Sequence, residues 1–184
     1  MQNVYETERL LLTRSNASIA GQVAEYFIRN KDFFRETEPS RDEEFFTADY
    51  QMIQMRNDMA EYENATSVCF WFSEKNNPGQ IIGSVRMSNI VMGAFLSCFL
   101  SYRGDAAHLR RGYVAEALGQ IIRIAFGEIG LHRLEANIMP RNCASLAVAK
   151  KLGFQNEGIS KSYLRINGMW EDHMHMVLLN TALQ

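Results

Sequence analysis

A chain of 184 residues has room for one domain with a sizeable core, and no linker or internal repeat interrupts it, so a single domain over 1–184 is expected. Hydrophobic residues make up 47%, which excludes a disordered chain, and no apolar run approaches the ~18 residues that a membrane-spanning helix needs. The formal net charge is −2, from 19 basic and 21 acidic side chains with no basic stripe, which argues against direct binding of nucleic acid.

The opening Met1-Gln2-Asn3-Val4-Tyr5-Glu6 has no basic segment leading into an apolar one, so no signal peptide is expected. Cys69, Cys98 and Cys143 are odd in number and widely spaced. They fit reduced thiols in a cytoplasmic protein better than a disulfide frame.

Leu10 to Arg14 reads as a first strand. Ile19 to Asn30 reads as a helix opened by Ser15 or Asn16. Glu36 to Asp42 is polar, holds Pro39, and is expected to be a loop. Glu44 to Tyr62 has helical spacing, with Phe45, Ala48, Met52, Met55, Met59 and Tyr62 on one face. That methionine stripe is either core or the lining of a substrate site. Val68 to Phe72, Gln80 to Ser88 and Phe95 to Tyr102 form an expected antiparallel meander. Asn76-Asn77-Pro78-Gly79 makes its first turn, with Gly79 free to take positive φ, and Met92-Gly93 makes the second.

Tyr113 to Ile129 is the clearest helix, with Val114, Ala117, Leu118, Ile121, Ala125 and Ile129 in one apolar stripe and Gly130 as its stop. Arg133 to Met139 is a strand parallel to Phe95–Tyr102, because a helix carries the chain across. Asn142 can cap a helix from Cys143 to Leu152. Phe154–Ile166 and Met169–Leu179 pair across Asn167-Gly168, a type I′ hairpin signal.

Two charged features stand out. Glu36, Glu38, Asp42, Glu43 and Glu44 lie close together, either as acids suited to a helix first turn or as a docking surface for a basic peptide or amine. Leu109-Arg110-Arg111-Gly112-Tyr113-Val114 sets a glycine between arginines and a helix start. Free N–H groups and the positive helix end there suit a pyrophosphate; otherwise the helix simply begins with a solvated basic turn. His173-Met174-His175 puts two imidazoles on one strand face, but no thiol pair accompanies them and no metal site is expected.

With its strand–glycine loop–helix unit at the centre of a mixed sheet, the layout resembles the GNAT family of acetyl-CoA-dependent N-acetyltransferases. The family's loop reads Gln/Arg-x-x-Gly-x-Gly/Ala; here Leu109 and Val114 depart from its ends and Gly112 is kept. The RimJ/RimL branch, which acetylates N-termini of ribosomal proteins, is the nearer likeness. Thr7-Glu8-Arg9-Leu10, Glu38-Pro39-Ser40-Arg41-Asp42, Ile81-Ile82-Gly83-Ser84-Val85, Gly112 to Leu118, and Asn142-x-x-Ser145 ahead of Lys151-Leu152-Gly153-Phe154 carry it. His132-Arg133, Met139-Pro140, and Tyr163 through Asp172-His173 look especially like the RimJ type. Thr37 stands where a tryptophan often precedes the Glu-Pro pair.

The resemblance implies an α/β fold with a mixed, mostly antiparallel, seven-stranded sheet, a central parallel pair and helices on both faces. It implies acetyl transfer from acetyl-CoA to the α-amine of a ribosomal protein beginning with alanine, by direct attack in a ternary complex. A monomer or homodimer without metal or membrane contact would suffice. An acetyltransferase for small amines, or an acetyl-CoA-binding regulator without turnover, would use the same coenzyme half.

Among the expected site residues, Glu38 is the candidate base and Ser145 the candidate acid or hydrogen-bond donor to the coenzyme sulfur. Tyr163 is a further possible donor. Glu116 is a weaker candidate base, better suited to its helix start. Backbone groups from Leu100 to Tyr102 would pair with pantetheine if the two parallel strands splay, and one N–H there could meet the oxyanion. Leu109, Arg110, Arg111, Gly112, Tyr113 and Val114 would meet the phosphates, though either arginine could instead be solvated. Asn142 would touch the pantetheine arm, cap its helix, or do both. Cys143 is expected to be a bystander and not an acyl carrier.

Overall fold

The computed structural model describes residues 1–183. In chain order its elements are β1 (Val4–Glu6), β2 (Leu10–Arg14), α1 (Ala20–Arg29), α2 (Lys31–Phe34) and α3 (Ala48–Glu63). The meander β3 (Val68–Glu74), β4 (Asn77–Val91) and β5 (Ser97–Gly104) follows. Next come α4 (Tyr113–Arg123), β6 (Arg133–Ile138), α5 (Cys143–Lys151), β7 (Gln155–Ile166) and β8 (Met169–Leu179). One sheet runs β1-β2-β3-β4-β5-β6-β8-β7, antiparallel at every step except β5 against β6.

β3 shows how two helical layers share this sheet. Val68, Phe70 and Phe72 enter one core with Leu118 and Ile121 of α4, while Cys69 and Trp71 enter a second with Val23, Tyr26 and Met55 of α1 and α3. Buried on both faces, β3 has no polar alternation to display. Gly83 of β4 has a steric reason. A Cβ there would lie 2.1 Å from Phe72 Cζ and 2.4 Å from the Arg103 carbonyl oxygen, so only glycine lets ring and backbone close over it.

Several expectations need correction. Among the described residues the sheet has eight strands, not seven: Val4–Glu6 pairs with β2, and Tyr5 is buried edge-on against Phe70 at 5.6 Å. Asn16, not Ser15, accepts from Ser18 N and opens a 3₁₀ turn ahead of α1, while Ser15 turns inward and donates to Asp58 at 2.6 Å. Helix α3 starts at Ala48 under a Thr47 cap, and Glu43 and Glu44 occupy a separate 3₁₀ turn. Its buried face is Gln51, Met55 and Asp58, and Met59 is exposed. Met55 is core, with Met52 and Phe45 packed beside it, so most of the expected face holds as core; at its far end Asp58 takes the inward place of Met59, where Ser15 and Arg86 satisfy it.

The first meander turn is tighter than expected. Glu74 pairs with Asn77 across Lys75-Asn76, so Pro78 and Gly79 lie within β4 beside a bulged register, and Gly79 does not take positive φ. The last six residues of the expected long helix, Ile124–Ile129, are wound as a π-helix before Gly130 stops them. Asn167 and Gly168 both take positive φ, as the type I′ hairpin requires.

Candidate active site

The parallel pair holds for three registers only: Ser97 with Arg133, Cys98 with Leu134, and Phe99 with Glu135. Beyond Phe99 the strands part. The splay expected from Leu100 to Tyr102 is present, and it opens a cavity of about 300 Å³. Leu100, Ser101, Tyr102 and Arg103 line one side; Ala136, Asn137, Ile138 and Met139 line the other. Thr37, Glu38, Pro39 and Arg41 of the loop, Asn142, Ser145 and His173, with Leu164 and Ile166 of β7, complete the wall.

Two cross-links hold its shape. The Tyr102 hydroxyl donates to the Ser145 carbonyl at 2.9 Å, joining β5 to α5 across the gap. Burial pushes the Tyr102 phenol well above its ordinary range, so it stays a donor. Asn142 Oδ1 accepts from Ser145 N at 3.1 Å and caps α5. The Ser145 hydroxyl makes no hydrogen bond to the described residues and is free for a ligand. Cys143 is exposed at the same helix start, away from the cavity wall, whereas burial pushes the Cys98 thiol up to about 12.

Glu38 stands where the loop meets the cavity, and its Oε1 accepts from Arg103 Nε. Arg103 was not among the expected site residues; its partner lies 65 positions away, beyond any local pattern. Tyr163 is not in the cavity wall. Its ring packs 5.6 Å from His173 and 5.3 Å from His175, and its hydroxyl accepts from Asn137 Nδ2 at 3.4 Å. His175 is fully engaged by Glu135 at 2.9 Å and Ser160 at 2.7 Å.

The glycine-loop side begins where β5 ends. Gly104 lies so close to α4 that an added Cβ would meet Val114 Cγ2 at 2.7 Å. Arg110 (φ 61°) and Gly112 (φ 80°) both take the left-handed region, and Gly112 caps α4 without a side-chain partner. The first-turn N–H groups after Gly112 are therefore available to an anion. Arg110 and Arg111 have no salt-bridge partner among the described residues, and Leu109 is exposed beside them.

Glu116 faces the other way. It accepts from Thr7 Oγ1 at 2.6 Å, Arg9 N at 2.8 Å and Arg9 Nε at 2.7 Å. Burial alone would raise its pKa, but these donors hold it below the ordinary glutamate value, and it serves as an anchor. Arg9 also donates to the Arg111 carbonyl at 3.0 Å and lies 4.6 Å over the Tyr113 ring. The Thr7-Glu8-Arg9-Leu10 run thus braces the glycine loop.

The strand pair thus parts beside a glycine-capped helix start, with a serine at the gap whose hydroxyl has no partner among the described residues. The acetyltransferase (GNAT) domain model matches residues 9–155, and the chain belongs to this family of acetyl-CoA-dependent N-acetyltransferases. It is 33% identical over 170 residues to the [ribosomal protein uS5]-alanine N-acetyltransferase of Escherichia coli, covering 91% of this chain and 86% of that one. It is 34% identical over 151 residues to the probable N-acetyltransferase YjcK of Bacillus subtilis, covering 82% and 83% of the two chains. The solved ribosomal-protein-S5-alanine acetyltransferase of Vibrio fischeri superposes with a TM-score of 0.93 at 31% identity, over 100% of both chains.

Proposed function

We propose that this enzyme transfers acetyl from acetyl-CoA to the N-terminal α-amine of a ribosomal protein whose first residue is alanine, by direct attack in a ternary complex. Two relatives at 33% and 31% identity carry that activity in their names. The observation that carries the reading here is the gap between β5 and β6. It ends in one cavity with Ser145 on the helix α5 side and Glu38 on the loop side.

In this reading Gly112 and the first turn of α4 hold the diphosphate with Arg110 and Arg111. Backbone groups of Leu100 to Tyr102 take the pantetheine amides. Ser145 donates a hydrogen bond to the departing sulfur, and Glu38, tied to Arg103, offers its second oxygen to the incoming ammonium. An α-amine, with a pKa of ~8 against ~10.4 for lysine, needs about 3 kcal/mol less to become the neutral nucleophile.

Mass spectrometry of ribosomal proteins from cells with and without the gene tests the proposal. One N-terminal acetyl group disappearing from an alanine-starting protein is the expected result. Unchanged ribosomal N-termini, with purified enzyme acetylating only small amines, would overturn it.

A further inference from the structure

The cavity wall holds a histidine whose chemistry is set by its neighbours. His173 is 4% exposed, and its Nδ1 lies 3.0 Å from the Glu171 carbonyl oxygen. A carbonyl only accepts, so Nδ1 must carry the hydrogen. In the neutral ring Nε2 then holds the lone pair. Nε2 is bonded to none of the described residues, and the ring is braced from β7 by Tyr163 at 5.6 Å.

On the neighbouring strand, Asn137 lines the same cavity, and its buried Oδ1 has no partner among the described residues. A buried acceptor without a donor costs free energy unless a ligand supplies one. An α-ammonium presents three N–H donors. Three residues that carry acceptors line the wall: Asn137, His173 with Nε2 unbonded among the described residues, and Glu38 with one carboxylate oxygen outside the Arg103 contact. One oxygen of Glu38 is already committed to Arg103, whereas His173 Nε2 is wholly unengaged among the described residues.

We propose that His173 is the general base of the transfer, taking a proton on Nε2 from an acceptor ammonium held by Asn137. The proposal rests on the α-amine reading above. One ammonium proton passes to His173. The freed lone pair attacks the thioester carbonyl, and the C–S bond breaks as the N–C bond completes. The second proton leaves the nitrogen for the coenzyme thiolate, giving amide and free thiol. His173 then returns its proton to water.

The test uses the full chain, acetyl-CoA and an alanine-starting peptide. His173→Asn keeps a donor for the Glu171 carbonyl but has no atom at Nε2; His173→Ala opens space for added imidazole. A fall in kcat of about a hundredfold or more in His173→Asn, with the KM for acetyl-CoA unchanged, is expected. Imidazole should restore part of the His173→Ala rate. Turnover in His173→Asn within threefold of the parent, or a loss in His173→Ala that imidazole leaves untouched, overturns the assignment. If His173→Ala does not fold, His173→Gln takes its place beside His173→Asn, and parental turnover in either rejects the base. Parent enzyme silent on peptides but active on small amines rejects the α-amine reading instead, and the same variants are then scored on that amine.

Discussion

Arg9 grips Glu116 across 107 positions of sequence, with Nε and Nη2 lying 2.7 Å and 2.6 Å from the same carboxylate oxygen. The contact joins the start of β2 to the first turn of α4. Since Arg9 also donates to the Arg111 carbonyl, it ties the loop to the same anchor.

Arg9→Ala is expected to cost only about 1 kcal/mol of stability, because the guanidinium is 43% exposed and solvent screens the pair. The larger effect falls on the loop. The KM for acetyl-CoA rises several-fold while the acceptor KM holds. Arg9→Lys does not restore it, as an ammonium cannot reproduce the fork. Steady-state kinetics in both substrates decides.

Gly112→Ala forces an L side chain to φ 80°, at a cost of about 1–2 kcal/mol. Space is not the obstacle, since the nearest neighbour of the added Cβ is Arg9 Nη2 at 3.5 Å. Coenzyme affinity measured by calorimetry should fall by more than tenfold. Unchanged binding heat would remove Gly112 from the phosphate site.

Asp105 links β5 to the end of α1. Burial raises its pKa, but hydrogen bonds from Asn30, His108, Arg29 and the Ala107 N–H outweigh that and leave it below the ordinary aspartate value. A depressed carboxyl stabilises the fold above its unfolded pKa, and that contribution is lost as pH falls through the folded one. Asp105→Asn should therefore lose about 2 kcal/mol at pH 7. The difference from the parent protein narrows below about pH 4, as urea midpoints across pH would show.

Ser145→Ala should slow turnover about tenfold, the worth of one hydrogen bond to the leaving sulfur. Cys143→Ala should leave the rate unchanged, and no acetylated cysteine should appear by mass spectrometry after mixing with acetyl-CoA alone. An acetyl group retained on Cys143 would replace direct transfer with a covalent route.

Local chemistry made much of this molecule legible. The stripe from Val114 to Ile129 placed the central helix, and Asn167-Gly168 placed the last hairpin. β1 stayed hidden because three residues are too few to display a period. The far end of the inward face of α3 stayed hidden because Asp58 is compensated by Ser15 and Arg86, which lie 43 and 28 positions away. The loop and Ser145 could be found from their motif, but Arg103 and Asn137 carry no signal outside the folded cavity. His173 was visible as one of two imidazoles on a strand. What distinguishes it from His175 is which atoms each ring faces, and that information exists only after β6, β7 and β8 are side by side.

Because β5 and β6 part after Phe99, the sheet leaves main-chain groups there outside its own ladder. Coenzyme A would act there as a removable piece of the sheet, so occupancy and resistance to unfolding rise together. At a hundred times Kd the linkage is worth about 2.7 kcal/mol. The melting temperature of this protein in a lysate should consequently track the supply of its acyl donor.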